Sequence, residues 1–331
     1  LKTPLLVTVI IPTYNYAKYI CEAIDSVLAS NFPQDEIEII VVDDGSTDDT
    51  PDKVRVYGER IRYLSQDNQG KALATSVGID YAQGKYLFNL DADDYFLPEK
   101  IRQVVSLFDA DDEILHVGHP ALCWNIVSGT KQREPLPERL TGRKLKGKEV
   151  LLDFYKQRIL FGGGSTFAAR TEALKLYAIP KDVDMYIDEY LILMTLNKGY
   201  TYFIEQPLSV WRIHDENFSG LSARYSIGSL DKAARSMNSL NAVLSLVLAG
   251  DFEPDLKLLY ALKAKVSQLA MKERAGEKSY GDVLDLWKCL ARTFGRFGKE
   301  SFDIMRCYTV LNRTLPTPAL QLARRAAGKA V

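Results

Sequence analysis

Three short apolar runs, Val7 to Ile11, Ile37 to Val42 and Tyr86 to Leu90, constrain this chain more than any other feature. Each is nearly continuous rather than alternating, the pattern of a strand buried on both faces of a parallel sheet. Between them lie stretches of helical period: Ala17 to Leu28 carries Ile20, Ala23, Ile24, Val27 and Leu28, and a further helix is expected from about Lys71 to Ala82. Arg62 to Leu64 is a shorter strand candidate, and Pro98 sits where a first-turn proline opens a helix reaching Phe108. Strands alternating with helices at this spacing build βαβ units, so the fold class is α/β with a mostly parallel sheet. Ligands of such sheets lie beyond the carboxyl ends of the strands. Two of the runs stop there on acidic clusters, Asp43-Asp44 and Asp91-Ala92-Asp93-Asp94.

From His116 to about Leu208 the pattern is mixed, with strand candidates at Leu122 to Val127, Ser165 to Ala169 and Tyr200 to Ile204. The charged, proline-bearing stretch Ser128 to Lys148 reads as an exposed loop over the site. After Ser222 the signal is helical to about Leu311. The 331 residues therefore divide into an α/β domain, residues 1–219, and a helical C-terminal region, residues 220–331. With 47% hydrophobic and 26% charged residues the chain has an ordinary globular composition, and its net charge of -1 disfavours nucleic acid as a partner. Cys21, Cys123, Cys289 and Cys307 show no zinc or redox spacing. No stretch reaches the length of an apolar span, and Leu1 to Thr8 has no secretory pattern, so a cytoplasmic chain is expected.

Asp91 and Asp93, at i and i+2 beyond a strand, would point to one side if the strand continued, and a carboxylate pair there suits a hard cation bridging to phosphate. The pattern by itself is weak, because Asp109-Ala110-Asp111-Asp112 repeats the same letters in what reads as a solvated turn. Asp43 and Asp44 suit a base or ribose through hydrogen bonding, while Ser46 and Thr47 suit N-caps for a helix starting near Asp48, and a capping role explains the whole D-D-G-S-T run equally well. Neither a G-x-G-x-x-G turn after the first strand nor a G-x-x-x-x-G-K-[ST] loop occurs, which disfavours dinucleotide oxidoreductases and P-loop phosphotransferases.

Taken together, VIIPTYN at Val9 to Asn15, VVDDGSTDDT at Val41 to Thr50, NQG at Asn68 to Gly70 and AQGKYLFNLDADD at Ala82 to Asp94 resemble glycosyltransferase family 2. Farther on, Asp188 before the Lys198-Gly199-Tyr200 turn and WRIH at Trp211 to His214 resemble that family's acidic and histidine segments, so the resemblance runs from about Val7 to Ser219. It implies a GT-A fold, inversion at the anomeric carbon, and a division of the α/β domain into a nucleotide-binding half, residues 1–115, and an acceptor-binding half, residues 116–219. It further implies that Pro12, Tyr14, Asp43 and Asp44 line the nucleoside pocket, that Asn68, Gly70 and Lys71 belong to the donor site, and that Asp91 serves both ribose and cation. Asp91 and Asp93 would hold Mn2+ or Mg2+, with His214 as a third ligand or a diphosphate contact. Asp188 would be the general base, with its neighbour Glu189 turned about 100° away on the same helix. The chain departs from the family pattern at Thr75 and Ser76, where arginine and asparagine are usual, and at Ile187, where an acid is common. No Q-x-x-R-W motif is present, so a processive synthase is not expected.

The chemistry agrees with these residue types: displacement at an anomeric carbon leaves negative charge on the departing diphosphate, and an acceptor hydroxyl needs a base. The expectation is an inverting transferase moving a sugar from a nucleoside diphosphate donor, UDP-linked, to a glycan or lipid-linked oligosaccharide in surface polysaccharide or glycoconjugate synthesis. A nucleotidyltransferase and a catalytically silent nucleotide-sugar scaffold are the rivals. His214 reads equally as a packed histidine, and Gly162 to Gly164 as an acceptor approach or a loop end. Trp124, Trp211 and Tyr186 read as sugar-stacking or core residues. The helices after Ser222 suit a homodimer interface, a cover for the acceptor groove, or peripheral contact with the inner face of a membrane. Arg324, Arg325 and Lys329 among Leu320 and Leu322 suit that last role, or an ordinary frayed terminus.

Overall fold

The computed structural model describes residues 4–157, 164–183, 187–215, 217, 230–275 and 277–308. The chain forms two compact units, one of residues 1–147 and 160–232 and one of residues 148–159 and 233–331. In chain order the elements are β1 (Val7–Thr13), α1 (Ile20–Leu28), β2 (Ile37–Asp43), α2 (Thr50–Arg55), β3 (Arg62–Ser65), α3 (Lys71–Tyr81), β4 (Tyr86–Asn89), β5 (Tyr95–Phe96) and α4 (Lys100–Ala110). Next come β6 (Ile114–Gly118), β7 (Ala121–Asn125), β8 (Lys131–Arg133), β9 (Lys144–Leu145), α5 (Gly147–Gln157), β10 (Ala168–Arg170), α6 (Thr171–Lys175), α7 (Ile187–Lys198), β11 (Tyr200–Phe203) and β12 (Ser209–Ile213). Helices α8 (Leu230–Ala249), α9 (Pro254–Ala275), α10 (Tyr280–Phe297) and α11 (Glu300–Tyr308) complete the described elements.

The first unit is a mixed α/β layer structure. Its main sheet has the order β3-β2-β1-β4-β10-β6-β11-β9, and a smaller sheet runs β5-β12-β7-β8. β1 pairs in parallel with β2 from Val7↔Ile37 to Thr13↔Asp43 and with β4 from Val7↔Tyr86 to Ile10↔Asn89, so the carboxyl ends of all three strands open on one edge. The whole of β1 is buried, as its unbroken apolar run required, and α1 lays Ile20, Ala23, Ile24 and Val27 into the core. α3 can lie close to β1 because Gly78 has no side chain: a Cβ there would stand 2.4 Å from Ile10 Cγ2.

Several local expectations are corrected. Helix α2 begins at Thr50, and its N-cap residue, Asp49, makes no side-chain cap. Ser46 instead accepts from the Asn15 N–H at 2.9 Å, and the Asn15 side-chain oxygen accepts from the Thr47 N–H at 2.8 Å. These bonds bind the loop after β1 to the loop after β2. The stretch Ser128 to Lys148 is not a bare loop: it supplies β8 and β9, edge strands of the two sheets. The strand expected from Ser165 splits into a 3-10 turn, Gly164–Thr166, and β10, which pairs antiparallel with β4 and β6. The repeated acidic run is, as expected, a structural turn between α4 and β6. Asp109 accepts from the Tyr86 hydroxyl, Asp111 pairs with Lys144 at 2.7 Å, and Asp112 pairs with the buried Arg170 at 3.0 Å.

The second unit is helical. Helix α10 starts on a capping box in which the Ser279 hydroxyl accepts from the Asp282 N–H at 3.2 Å and the Asp282 carboxylate accepts from the Ser279 N–H at 2.9 Å. Among the described residues no helix is long and apolar enough to cross a membrane. The tail bearing Leu320, Leu322, Arg324, Arg325 and Lys329 lies outside the described residues.

His116, buried on β6 beside Thr201, has its pKa lowered from 6.5 to about 3 by burial. Between those values the unfolded chain takes up a proton that the folded one refuses, so stability present above pH 6.5 is lost as pH falls toward 3. That site alone contributes a slope of at most about 1.4 kcal/mol per pH unit. Denaturant titrations at pH 7, 6 and 5 should show a shallower decline in His116→Asn than in the native chain. An identical slope in both would contradict this assignment.

Candidate functional site

The site is built on the turn that follows β4. The strand ends at Asn89, and the Asp94 N–H closes a turn onto the Asp91 carbonyl at 2.9 Å. This turn, rather than continued strand alternation, brings the carboxylates together. Ligating oxygens of Asp91, Asp93 and Asp94 all lie within 4.8 Å of one another. Asp94 faces inward, where it accepts from the Arg212 N–H at 2.9 Å and from the Ser165 hydroxyl. The same Ser165 oxygen accepts from the Asp91 N–H at 3.0 Å, so one serine holds both ends of the turn. Burial raises the pKa of Asp91 and Asp94; Asp93 and Asp91 push Asp94 further in that direction, whereas Lys71 opposes the shift of Asp91.

Below the turn lies Lys100, fully buried at the start of α4. Its ammonium donates to the Ser165 carbonyl at 2.5 Å and to the Ser209 hydroxyl at 3.0 Å, and stands 3.8 Å from the centre of the Phe96 ring. Burial drives its pKa well below the ordinary lysine value, against the pull of Asp94 and Asp91. Arg212 braces the other side: its guanidinium donates to the Asp93 carbonyl and to Glu22, and lies 4.9 Å from the Tyr19 ring centre.

Facing the turn are Lys71, at the start of α3, and Asp188, in the first turn of α7. The Lys71 ammonium is 2.9 Å from Asp91 and 3.5 Å from Asp188, bridging two carboxylates far apart in sequence. Burial works against its charge, but Asp188 and Asp91 outweigh burial and hold its pKa above the ordinary lysine value. Gly164 packs into this junction: a Cβ there would stand 2.4 Å from Asn89 Nδ2, 2.8 Å from Asp91 Oδ1 and 3.1 Å from Asp188 Oδ1. Without a side chain, Gly164 lets the ends of Asn89, Asp91 and Asp188 come this close, a role beyond the loop-end and acceptor-approach readings. Gly162, Gly163 and Tyr186 lie outside the described residues.

His214 reaches the acidic turn through Asp93. Its Nε2 is 3.1 Å from Asp93 Oδ2, to which Asn217 also donates at 2.9 Å, and its buried Nδ1 has no hydrogen-bond partner among the described residues. The ring lies against Tyr19 at 4.7 Å between centres, with Tyr16 at 6.4 Å. Burial raises the pKa of Tyr16, and the Asp93 and Asp91 carboxylates raise it further. Trp124 and Trp211 are half-buried on β7 and β12, with the Lys131 ammonium 4.6 Å from the Trp124 ring centre.

On the other side of the strand edge, Pro12 is buried and Tyr14 is 44% exposed. Asp43 accepts from the Ser46 N–H at 2.8 Å and from the Tyr63 hydroxyl at 2.6 Å. Asp44 accepts from Gln66 Nε2 at 2.7 Å and from the N–H groups of Gln69 and Gly70 at 2.8 and 2.7 Å. These two carboxylates thus shape the loops of residues 43–46 and 66–70, the latter containing Asn68 and Gly70, and neither caps α2. Gly70, at φ 93°, occupies the left-handed region that lets this loop turn into α3.

Sequence reasoning missed Tyr16, Lys100, Ser165, Arg212 and Asn217. Lys100 left one signal, since it lies four residues before Val104 on the apolar face of α4. Asn217 follows His214 by three residues, but nothing in the sequence tied that asparagine to Asp93.

The oxygen-only donor set of Asp91, Asp93 and Asp94 fits a hard divalent cation such as Mg2+ or Mn2+, and the crowding of carboxylates favours one.

Comparison with known proteins agrees with this architecture. An uncharacterized glycosyltransferase of Rickettsia prowazekii is 43% identical over 117 residues, 34% of this chain and 36% of that protein. Another, of Nostoc sp. (strain PCC 7120), is 30% identical over 223 residues, 64% of this chain and 66% of that one. The match thus spans between about one third and two thirds of the length of these curated relatives. Among solved structures, residues 1–349 of Staphylococcus aureus TarS in complex with UDP-GlcNAc superpose with a TM-score of 0.66 at 17% identity, covering 98% of this chain and 93% of that one. The mannosyltransferase PcManGT of Pyrobaculum calidifontis, in complex with GDP-Man and Mn2+, gives 0.53 at 19% identity, covering 99% and 90%. These likenesses give the fold, that of GT-A glycosyltransferases. The model of glycosyl transferase family 2 matches residues 8–177, more than half of the chain, and the chain belongs to that family.

Proposed function

We propose that the chain is an inverting, metal-dependent glycosyltransferase that moves a sugar from a UDP-linked donor to a hydroxyl of a glycan or lipid-linked oligosaccharide. The observation that carries this reading is the junction at Gly164, where the Asp91 carboxylate, the Lys71 ammonium and the Asp188 carboxylate converge. The TarS complex with UDP-GlcNAc and the PcManGT complex with Mn2+ support a uridine nucleotide and a divalent cation by likeness of fold. A cytoplasmic setting, with the nucleotide sugar and a glycan as partners rather than nucleic acid, goes with the same reading.

In this proposal Asp91 and Asp93 would hold the cation, and His214 and Asn217 fix the Asp93 carboxylate through its Oδ2. Bound there, Mn2+ or Mg2+ supplies positive charge against the negative charge that develops on the leaving diphosphate. Lys71 adds a fixed ammonium on the same side, where preorganised charge acts without reorganising at the moment of reaction. Asp188 takes the proton from the acceptor hydroxyl as its oxygen attacks the anomeric carbon. Pro12, Tyr14, Asp43, Asp44, Asn68 and Gly70 form the nucleoside side of the pocket. Asp43 and Asp44 do so by shaping its loops and with the acceptor capacity their protein partners leave.

Three outcomes follow. Release of nucleoside diphosphate from a sugar-nucleotide panel should require Mn2+ or Mg2+, be lost with chelator, and fall at least about 10²-fold in Asp93→Asn. Metal-dependent nucleotide binding without turnover of any donor or acceptor would leave a silent scaffold. Asp188→Asn should lower kcat about 10²–10⁴-fold while nucleotide affinity, followed by titration calorimetry, stays near that of the native chain. An unchanged kcat would move the base elsewhere. Gly164→Ala places a methyl group against the ends of Asn89, Asp91 and Asp188 and should cost about 10²-fold in kcat with the donor KM less affected. Full activity in that variant would show that the junction need not be tight.

A further inference from the structure

Helix α10 of the second unit carries two apolar faces where packing uses one. Val283, Leu286 and Leu290 are buried. Tyr280, Leu284, Trp287 and Phe294 recur at helical spacing beside that buried stripe and are 69%, 55%, 42% and 48% exposed. Phe302 of α11, 37% exposed, extends this ridge, packing edge-on against Phe294 with ring centres 5.5 Å apart. Five of the eleven large apolar side chains exposed among the described residues therefore share one ridge, a concentration that marks an interaction surface.

The chemistry beside the ridge identifies its partner. One flank of α10 carries Lys288 and Arg292, which also line a groove of about 340 Å³ between α8, α9 and α10. Leu244 and Leu248 contribute to its apolar lining, and Lys257 and Lys265 join Lys288 and Arg292 as its cations. Among the described residues the only carboxylate lining it is that of Asp285, 3.4 Å from Lys288, so four described cations face one anion in a chain whose net charge is -1.

We propose that this surface of α10 seats the second unit on an anionic phospholipid membrane, with the ridge in the acyl boundary and the cations among the headgroups. An exposed aromatic and aliphatic stripe bordered by lysine and arginine is the pattern of an interfacial helix. A second copy fits less well. Antiparallel pairing of two α10 ridges sets each flank against its own counterpart, so Lys288 and Arg292 would meet Lys288 and Arg292. The acidic residues Glu300 and Asp303 lie on α11 rather than among the groove cations. The proposal is independent of the chemistry at the acidic turn.

The test is co-sedimentation of the full chain with vesicles of phosphatidylglycerol and phosphatidylcholine, against vesicles of phosphatidylcholine alone. Two double variants of exposed residues, Leu284→Ser/Trp287→Ser and Lys288→Glu/Arg292→Glu, are compared with the native chain after their circular dichroism is shown to match it. The native chain is expected on anionic vesicles only, with binding weakened by added salt. Each double variant should lower the partition coefficient by more than about tenfold. Absence of binding to anionic vesicles would overturn the proposal. So would binding that both variants leave unchanged, since the membrane contact would then lie elsewhere. A dimer in light scattering without vesicles, abolished by the ridge variant, would assign the surface to a second copy instead.

Discussion

Everything at the carboxyl edge of the sheet depends on holding mutually repelling carboxylates close together. Asp91, Asp93 and Asp94 occupy one turn, and Asp188 approaches them across Gly164. Like charges at such separations oppose one another by several kcal/mol wherever water is partly excluded. The fold answers with a frame of hydrogen bonds behind the turn. Ser165 holds both Asp91 and Asp94, Lys100 and Ser209 hold Ser165, and Arg212 holds Asp94 and the backbone of Asp93. In front of the turn Lys71 supplies a compensating charge from the protein.

This division has a chemical consequence. Groups behind the turn are buried and hydrogen-bonded, so they fix geometry, and in the proposed reading the oxygens in front would keep their remaining capacity for a cation and diphosphate. A frame of this kind costs stability, since Lys100 and Asp94 are buried ionisable groups whose pKa values burial displaces toward neutrality. The surrounding apolar strands and α1 offset that cost and keep the frame rigid.

Much of the fold was legible in the sequence because its signals are local. The nearly continuous apolar runs of β1, β2 and β4 announced strands buried on both faces, and the acidic residues after β2 and β4 marked the functional edge. What escaped was long-range. The antiparallel β10 is three residues long and owes its place to β4 and β6, not to its own pattern. Nothing in a linear reading signals that residues 148–159 group with helices much farther along the chain. Ser46 and Thr47 look like caps, yet the loop after β1 claims them through Asn15. At the site, Asp91, Asp93, Asp188 and His214 were readable from residue type and order. Ser165, Lys100 and Asn217 were not, because a serine, a lysine and an asparagine acquire their roles only from the distant groups they touch.

The most direct measurement of the central claim is anomalous scattering from crystals grown with UDP and Mn2+. The account predicts a manganese peak at coordination distance, roughly 2.0–2.2 Å, from carboxylate oxygens of Asp91 or Asp93, with the diphosphate on its open side toward Lys71. Manganese bound elsewhere, or UDP held at the sheet edge with no ion at the acidic turn, would contradict it.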